Sequence, residues 1–325
     1  MAVLGAAGAG GVISNFPITF AKTTTWTCPC VMEAYVFVIG GGGSGGAGAY
    51  AVWTWRSQGG TAGGCAVSKL TLAAQDYDIT IGAGGAPQLA FANYPNGVAG
   101  VGGAASTFVD GVGSIATMTG NGGSGGGVHP TDTVAAKTGG TATGGTIMNH
   151  TGGGTPAITV NESITSGGAV GLWEAGRDGV LKTGTKVNVG SLLQGDDGQD
   201  LTAGPSTWGQ ESSWFIPPLN ISMTLSRYIY PTTATDGQAR DIIPAGAKAT
   251  GSLAKDTAYS AAYYYNSSPL AGGVGGSANY TNVSAGGGTL GAGGGGMISR
   301  VSSSYAMSGA GGHGGVIIIP ISLGS

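Results

Sequence analysis

The stretch YVFVIGGGGSGG, which opens at Tyr35, limits what this chain can fold into more than any other segment. Five strand-forming residues run directly into a segment with almost no side chains. The opposite join occurs in GGHGGVIII, where glycine leads back into Val316, Ile317, Ile318 and Ile319. Large apolar residues at both alternating positions predict a strand over 35–39 that is buried on both faces. Residues 316–319 are expected to return beside it. Ordering glycine costs more backbone entropy than ordering any other residue, so the glycines need a compensating interaction.

Such runs recur along the chain, as GGTAGG from Gly59, GNGGSGGG from Gly120 and GAGGGG from Gly291. Glycine is 69 of 325 residues and proline only 13, without a three-residue glycine period, which excludes collagen. A set of flexible linkers between strand-like pieces would leave no core. A phosphate-binding loop needs a helix after the glycine turn, and AGAYAVWTWRSQGG is too short and aromatic for one. The remaining reading has extended glycine helices lying side by side and bonding laterally, with side chains excluded from the interior. The expected fold class is therefore mainly β and irregular: short β-strands framing a packed bundle of polyglycine II helices, with very little α-helix. Gly42, Gly125 and Gly294 are expected inside that bundle.

Further strands are predicted where Phe16, Ile18 and Phe20 alternate, over 67–72 and 77–81, and near 107–109 and 115–118. Glycine content divides the chain. Residues 155–270 contain 14 glycines in 116 positions, against 55 in the other 209. The expected organisation is an attachment segment at 1–18, a glycine-rich domain at 19–154, an aromatic-rich insertion at 155–270 and a closing glycine-rich part at 271–325.

Charge excludes some functions. Twelve Lys and Arg against fifteen acidic residues, without basic clusters, do not suit a phosphate backbone, so no nucleic-acid partner is expected. No apolar run reaches the roughly 18 residues that cross a bilayer, so membrane insertion is not expected either. The start of the sequence lacks the positive and hydrophobic blocks of a secretion signal. His129, His150 and His313 show no metal-ligand spacing. Asp196, Asp197 and Asp200 in GDDGQD lack the closing glutamate of a calcium loop. No nucleophile motif occurs, and no opposed carboxylate pair can be read from Glu174, Glu211 and Asp241. The chain is read as a non-enzyme with no cofactor and no metal. Cys28, Cys30 and Cys65 are an odd set in which CPC lacks the two-residue gap of a redox or zinc motif; they are read as structural or incidental, with an interchain disulfide as the main alternative.

Aromatic residues outside the glycine frame are candidates for partner contact, because rings with polar neighbours stack on sugar faces or anchor protein loops. The candidates are Phe91, Tyr94, His129, Trp173, Trp208, Tyr228, Tyr230, Tyr263, Tyr264 and Tyr265. Core packing inside the insertion is the competing use for many of them.

Five pieces in order carry a resemblance: TFAKTTTWTCPC at 19–30, EAYVFVIGGGGSGG at 33–46, LTLAAQDYDITIGAGG at 70–85, ASTFVDG at 105–111 and the closing GAGGHGGVIII. Together they resemble the glycine-rich tip domains of bacteriophage tail fibres and their adhesins. Cys30 and the long insertion depart from that pattern. The resemblance implies stacked polyglycine-type helices with variable loops at one end that touch the host surface. It implies a virion location after assembly in the host cytoplasm. The implied partners are other virion fibre or tail proteins and a host-cell receptor, either a glycan or an outer-membrane protein, with a homotrimer as the assembly. A purely structural fibre of the virion and an ice-binding glycine-helix protein are the alternatives.

Overall fold

The computed structural model describes residues 18–49, 55–91, 97–129, 132–160, 163–165, 167–172, 175–176, 178–179, 181–183, 187–189, 211–216, 221–228, 240–241, 251–252, 264–265, 275–278, 283–285, 287–288, 290–299 and 305–323. Their regular structure is β alone, in small sheets of two to five strands.

Two five-stranded antiparallel sheets form one end of the frame. In the first the order is Ile18–Phe20, Gly315–Leu323, Met32–Ile39, Cys65–Leu72 and Met148–His150. The second runs Ala142–Thr143, Met118–Gly120, Ser106–Asp110, Asp76–Thr80 and Thr24–Thr27. The two-residue period of a strand sends alternate side chains to opposite faces, and the Met32–Ile39 strand uses both. Met32, Ala34, Val36 and Val38 join Ile79, Phe108, Met118, Val316 and Ile318 in a core between the two sheets. Tyr35, Phe37 and Ile39 join Val67, Val170, Leu172 and Ala292 in a second core on the other side. Each fully buried side chain of this size stabilises by about 1.5–3 kcal/mol. Pro320 sits at a bulge in the Gly315–Leu323 strand, where its missing N–H costs no ladder bond.

Glycine segments continue from these strands. Residues 40–46 run through the middle, and their amides reach three neighbours in rotation. Gly40, Gly43 and Gly46 donate to the carbonyls of Gly64, Thr61 and Gln58; Gly41 and Ser44 donate to Ala104 and Val101; Gly42 and Gly45 donate to Gly312 and Gly309. All seven bonds measure 2.8–3.0 Å. On the accepting side, the carbonyls of Gly41, Gly42, Gly43 and Ser44 take bonds from Gly123, Gly85, Gly294 and Gly126. This accounts for the glycines beside the strand: their backbone groups are satisfied laterally, as burial requires. A Cβ on Gly42 would overlap the carbonyl of Ala292 and lie 2.7 Å from Gly291 O. One on Gly125 would overlap the carbonyl of Gly100 and lie 2.6 Å from the amide of Val101. On Gly294 it would overlap the carbonyl of Gly309 and lie 2.5 Å from Ala310 O.

The expected bundle of polyglycine II helices is nevertheless overturned. The described residues contain no helix of any kind. The apolar strands build the sheets and the cores, so the glycine segments are extended continuations between strands in an all-β fold, not the rods of a separate helical bundle. No helix among the described residues is long and apolar enough to cross a membrane.

The described residues of 155–172 lie against this frame. Thr155 and Ile158 exchange backbone bonds with Lys137 and Val134. Ser163–Thr165 pairs with Arg56–Ser57, and Ile164 packs with Trp55 and Ile298.

Candidate recognition face

Away from the two large sheets, a sheet of three short strands presents apolar side chains to solvent from two of them. Val283–Ser284 pairs with Tyr305–Met307, which pairs in turn with Leu89–Phe91. Each of the last two strands reads large–Ala–large. The alanines turn inward, where Ala90 and Ala306 pack with Ala47, Ala49 and Met297. The period of two therefore turns Leu89, Phe91, Tyr305 and Met307 outward on one face. The register places Phe91 opposite Tyr305 and Leu89 opposite Met307. Phe91 is 48% exposed, Leu89 40% and Met307 37%, and Tyr305 is half-buried. The rings of Phe91 and Tyr305 meet edge-on, with centroids 6.5 Å apart and planes at 66°, the tilted arrangement that aromatic quadrupoles prefer.

Neighbouring strands end nearby. Ala47–Ala49 runs parallel to Met297–Ser299, with Ala49 opposite Ser299, and both strands contact the Leu89–Phe91 and Tyr305–Met307 group. The patch itself carries no charged side chain.

Of the residues expected to meet a partner, Phe91 stands on this patch. His129 ends the Val128–His129 strand and closes a turn: its Nδ1 accepts the Asp132 amide at 2.8 Å, and its Nε2 lies 3.4 Å from Asp132 Oδ2. Tyr228, Tyr264 and Tyr265 have backbones in the strands Ile221–Tyr228 and Tyr264–Tyr265. Tyr94, Trp173, Trp208, Tyr230 and Tyr263 lie outside the described residues, as do Asp196, Asp197, Asp200 and Glu174. Leu89, Tyr305 and Met307 were missed in the sequence. Their signal was the twice-repeated triplet of large residues around an alanine, LAF and YAM.

The histidines serve the backbone or a neighbour. His313 Nδ1 accepts the Gly84 amide at 3.3 Å, and His150 Nε2 lies 3.0 Å from Met148 Sδ. Among the described residues no three His, Cys, Asp or Glu side chains are placed to hold a metal ion. Cys28, Cys30 and Cys65 are free thiols. Cys28 and Cys65 are buried in different cores on opposite faces of the first sheet, and only Cys30 reaches the surface. Burial pushes the Cys65 thiol far above its ordinary range and raises Cys28.

Lys137 lies half-buried against the glycine frame, its ammonium donating to the carbonyl of Gly125. Desolvation lowers its pKa. Chemically the arrangement can bury apolar surface of a partner. Among the described residues it offers no nucleophile–base pair at the patch.

No curated protein matches the chain. The resemblance to tail-fibre tip domains of polyglycine helices is corrected, since the described residues are all-β and helix-free and the family model that matches is described only as a glycine-rich domain. That family model, a glycine-rich domain, matches residues 18–319, nearly the whole length, and the chain belongs to the glycine-rich domain family.

Proposed function

We propose that the chain is a non-catalytic attachment protein: a glycine-rich β frame, carried on a virion fibre, that holds a recognition face against a host-surface receptor. The observation that carries this reading is the apolar patch of Leu89, Phe91, Tyr305 and Met307. Leu89, Phe91 and Met307 are exposed and Tyr305 is half-buried, although the alanines of the same strands are completely buried. Contiguous exposed apolar groups on a folded protein mark interaction sites. The frame behind them is tied by hydrogen bonds in several directions, so a partner meets a surface that needs little ordering, which favours affinity. Contacts with other fibre proteins and a trimeric assembly belong to the same proposal. A native mass equal to one chain removes the trimer.

The test is adsorption of the purified protein to host cells, comparing Phe91→Ser and Met307→Ser with the parent. Aromatic anchors are worth about 2 kcal/mol or more, so Phe91→Ser is expected to weaken adsorption by roughly 30-fold. Both side chains are exposed, so thermal unfolding of the variants is expected to stay unchanged. Undiminished adsorption by both variants refutes the recognition face. Particles that lose assembly while keeping adsorption point to a structural fibre instead.

A further inference from the structure

The corner between the two large sheets holds two thiols on one side of the chain. The Thr24–Thr27 strand ends the second sheet, Met32–Ile39 lies inside the first, and Cys28-Pro29-Cys30 joins them. Cys28 is fixed by its amide, which donates to Gln75 O at 2.9 Å. Its thiol donates to the carbonyl of Cys30 at 3.0 Å. Cys28 belongs to the core between the sheets, and the half-buried Cys30 packs against that same core. Two residues of extended chain span at most about 7 Å, and disulfides form across Cα separations of roughly 4.4–6.8 Å. Cys65 faces the other core and takes no part.

We propose that Cys28 and Cys30 form a dithiol–disulfide couple, with Cys30 the reacting thiol, Cys28 the resolving thiol and a low-molecular-weight disulfide as the oxidant. In the first step the Cys30 thiolate attacks one sulfur of the oxidant, forming a mixed disulfide and expelling one thiolate. In the second, the Cys28 thiolate attacks the Cys30 sulfur and expels the other. The protein loses two electrons and two protons, and the oxidant becomes two thiols. Desolvation keeps Cys28 protonated, so the second step is the slow one and the mixed disulfide accumulates first. The couple makes an interchain bridge through Cys30 transient, because Cys28 displaces whatever Cys30 has captured.

The experiment incubates the reduced full-length protein with oxidised glutathione and follows intact mass, non-reducing electrophoresis and the peptide spanning 28–30. The expected sequence is one glutathione adduct, then its loss to a monomer lighter by two hydrogens, with Cys28 linked to Cys30. Cys28→Ser is expected to stop at the adduct and Cys30→Ser to remain unmodified. The wild-type peptide alone decides the matter if either variant folds poorly. A stable adduct on the wild type, an adduct at Cys65, or a covalent dimer as the end product overturns the proposal.

Discussion

Gly294 offers a sharp test of whether the glycine segments hold the fold together. Its amide donates to Gly43 O at 2.9 Å, and its carbonyl accepts from the Gly60 amide at 2.8 Å. A Cβ there would overlap the carbonyl of Gly309 and lie 2.5 Å from Ala310 O. Moving that oxygen out to the 3.4 Å of ordinary contact requires a retreat of at least about 0.9 Å, and the carbonyl of Gly309 must move further. The obstructing atoms are backbone, so no side chain can rotate aside. The retreating segment carries the bond from the Gly309 amide to Gly295 O, now 2.8 Å. Lengthened by that amount, it no longer qualifies as a hydrogen bond. Two or three such bonds at about 0.5–1.5 kcal/mol each, together with about 1–3 kcal/mol of overpacking strain, give Gly294→Ala an expected cost of roughly 2–7 kcal/mol. Gly111 is the internal control, since nothing lies within 4 Å of a Cβ built there. Gly111→Ala is expected to change stability by no more than about 0.5 kcal/mol. Denaturant unfolding of the two variants beside the parent measures both. Small, equal shifts would refute the reasoning.

Three further outcomes are expected. Phe108, fully buried and stacked on Tyr77 at 5.1 Å, should cost about 3–5 kcal/mol as Phe108→Ala, whereas half-buried Val109→Ala should cost far less in the same unfolding measurement. The hydroxyl of Ser114, with the Ser114 and Ile115 amides, holds the Asp110 carboxyl below its ordinary value, in a turn that Gly113 permits with φ +73°. Because the folded pKa is depressed, this contribution is present at neutral pH and lost as pH falls through the carboxylate range; unfolding midpoints across that range should fall less steeply for Asp110→Asn than for the parent. Iodoacetamide at neutral pH should label Cys30 alone in the folded protein, with Cys28 and Cys65 labelled only after denaturation; rapid labelling of Cys65 would contradict its place in the core.

The sequence made the centre of the fold legible because burial on both faces leaves an unbroken apolar run. YVFVI and VIII are such runs, and their residues pair directly, Val38 with Val316 and Val36 with Ile318. The lateral bonding of the glycines could also be reasoned from the need to satisfy buried amides. Its setting could not. The same glycine-rich sequence suits a stack of independent helices or extended segments between sheets, and only the positions of Phe108, Met118 and Ile79 opposite Val36 and Val38 show that the sheets carry the core. Residues 155–172 contain few glycines, yet Val170 and Leu172 complete the core behind Phe37, a contact that local composition does not encode. At the recognition face only Phe91 stood out as a large ring in a plain segment. Tyr305 and Met307 join it through register between strands separated by more than two hundred residues, which no local pattern reveals.

The central claim is that residues 40–46 are an ordered part of the frame whose amides bond in rotation to three neighbouring segments. Hydrogen–deuterium exchange at the amides of Gly40 through Gly46 tests it most directly. The expected result is protection at every position, as slow as at the amides of the Met32–Ile39 strand that precedes them. Exchange of these glycines at the rate of an unstructured chain, beside a protected strand, would contradict it.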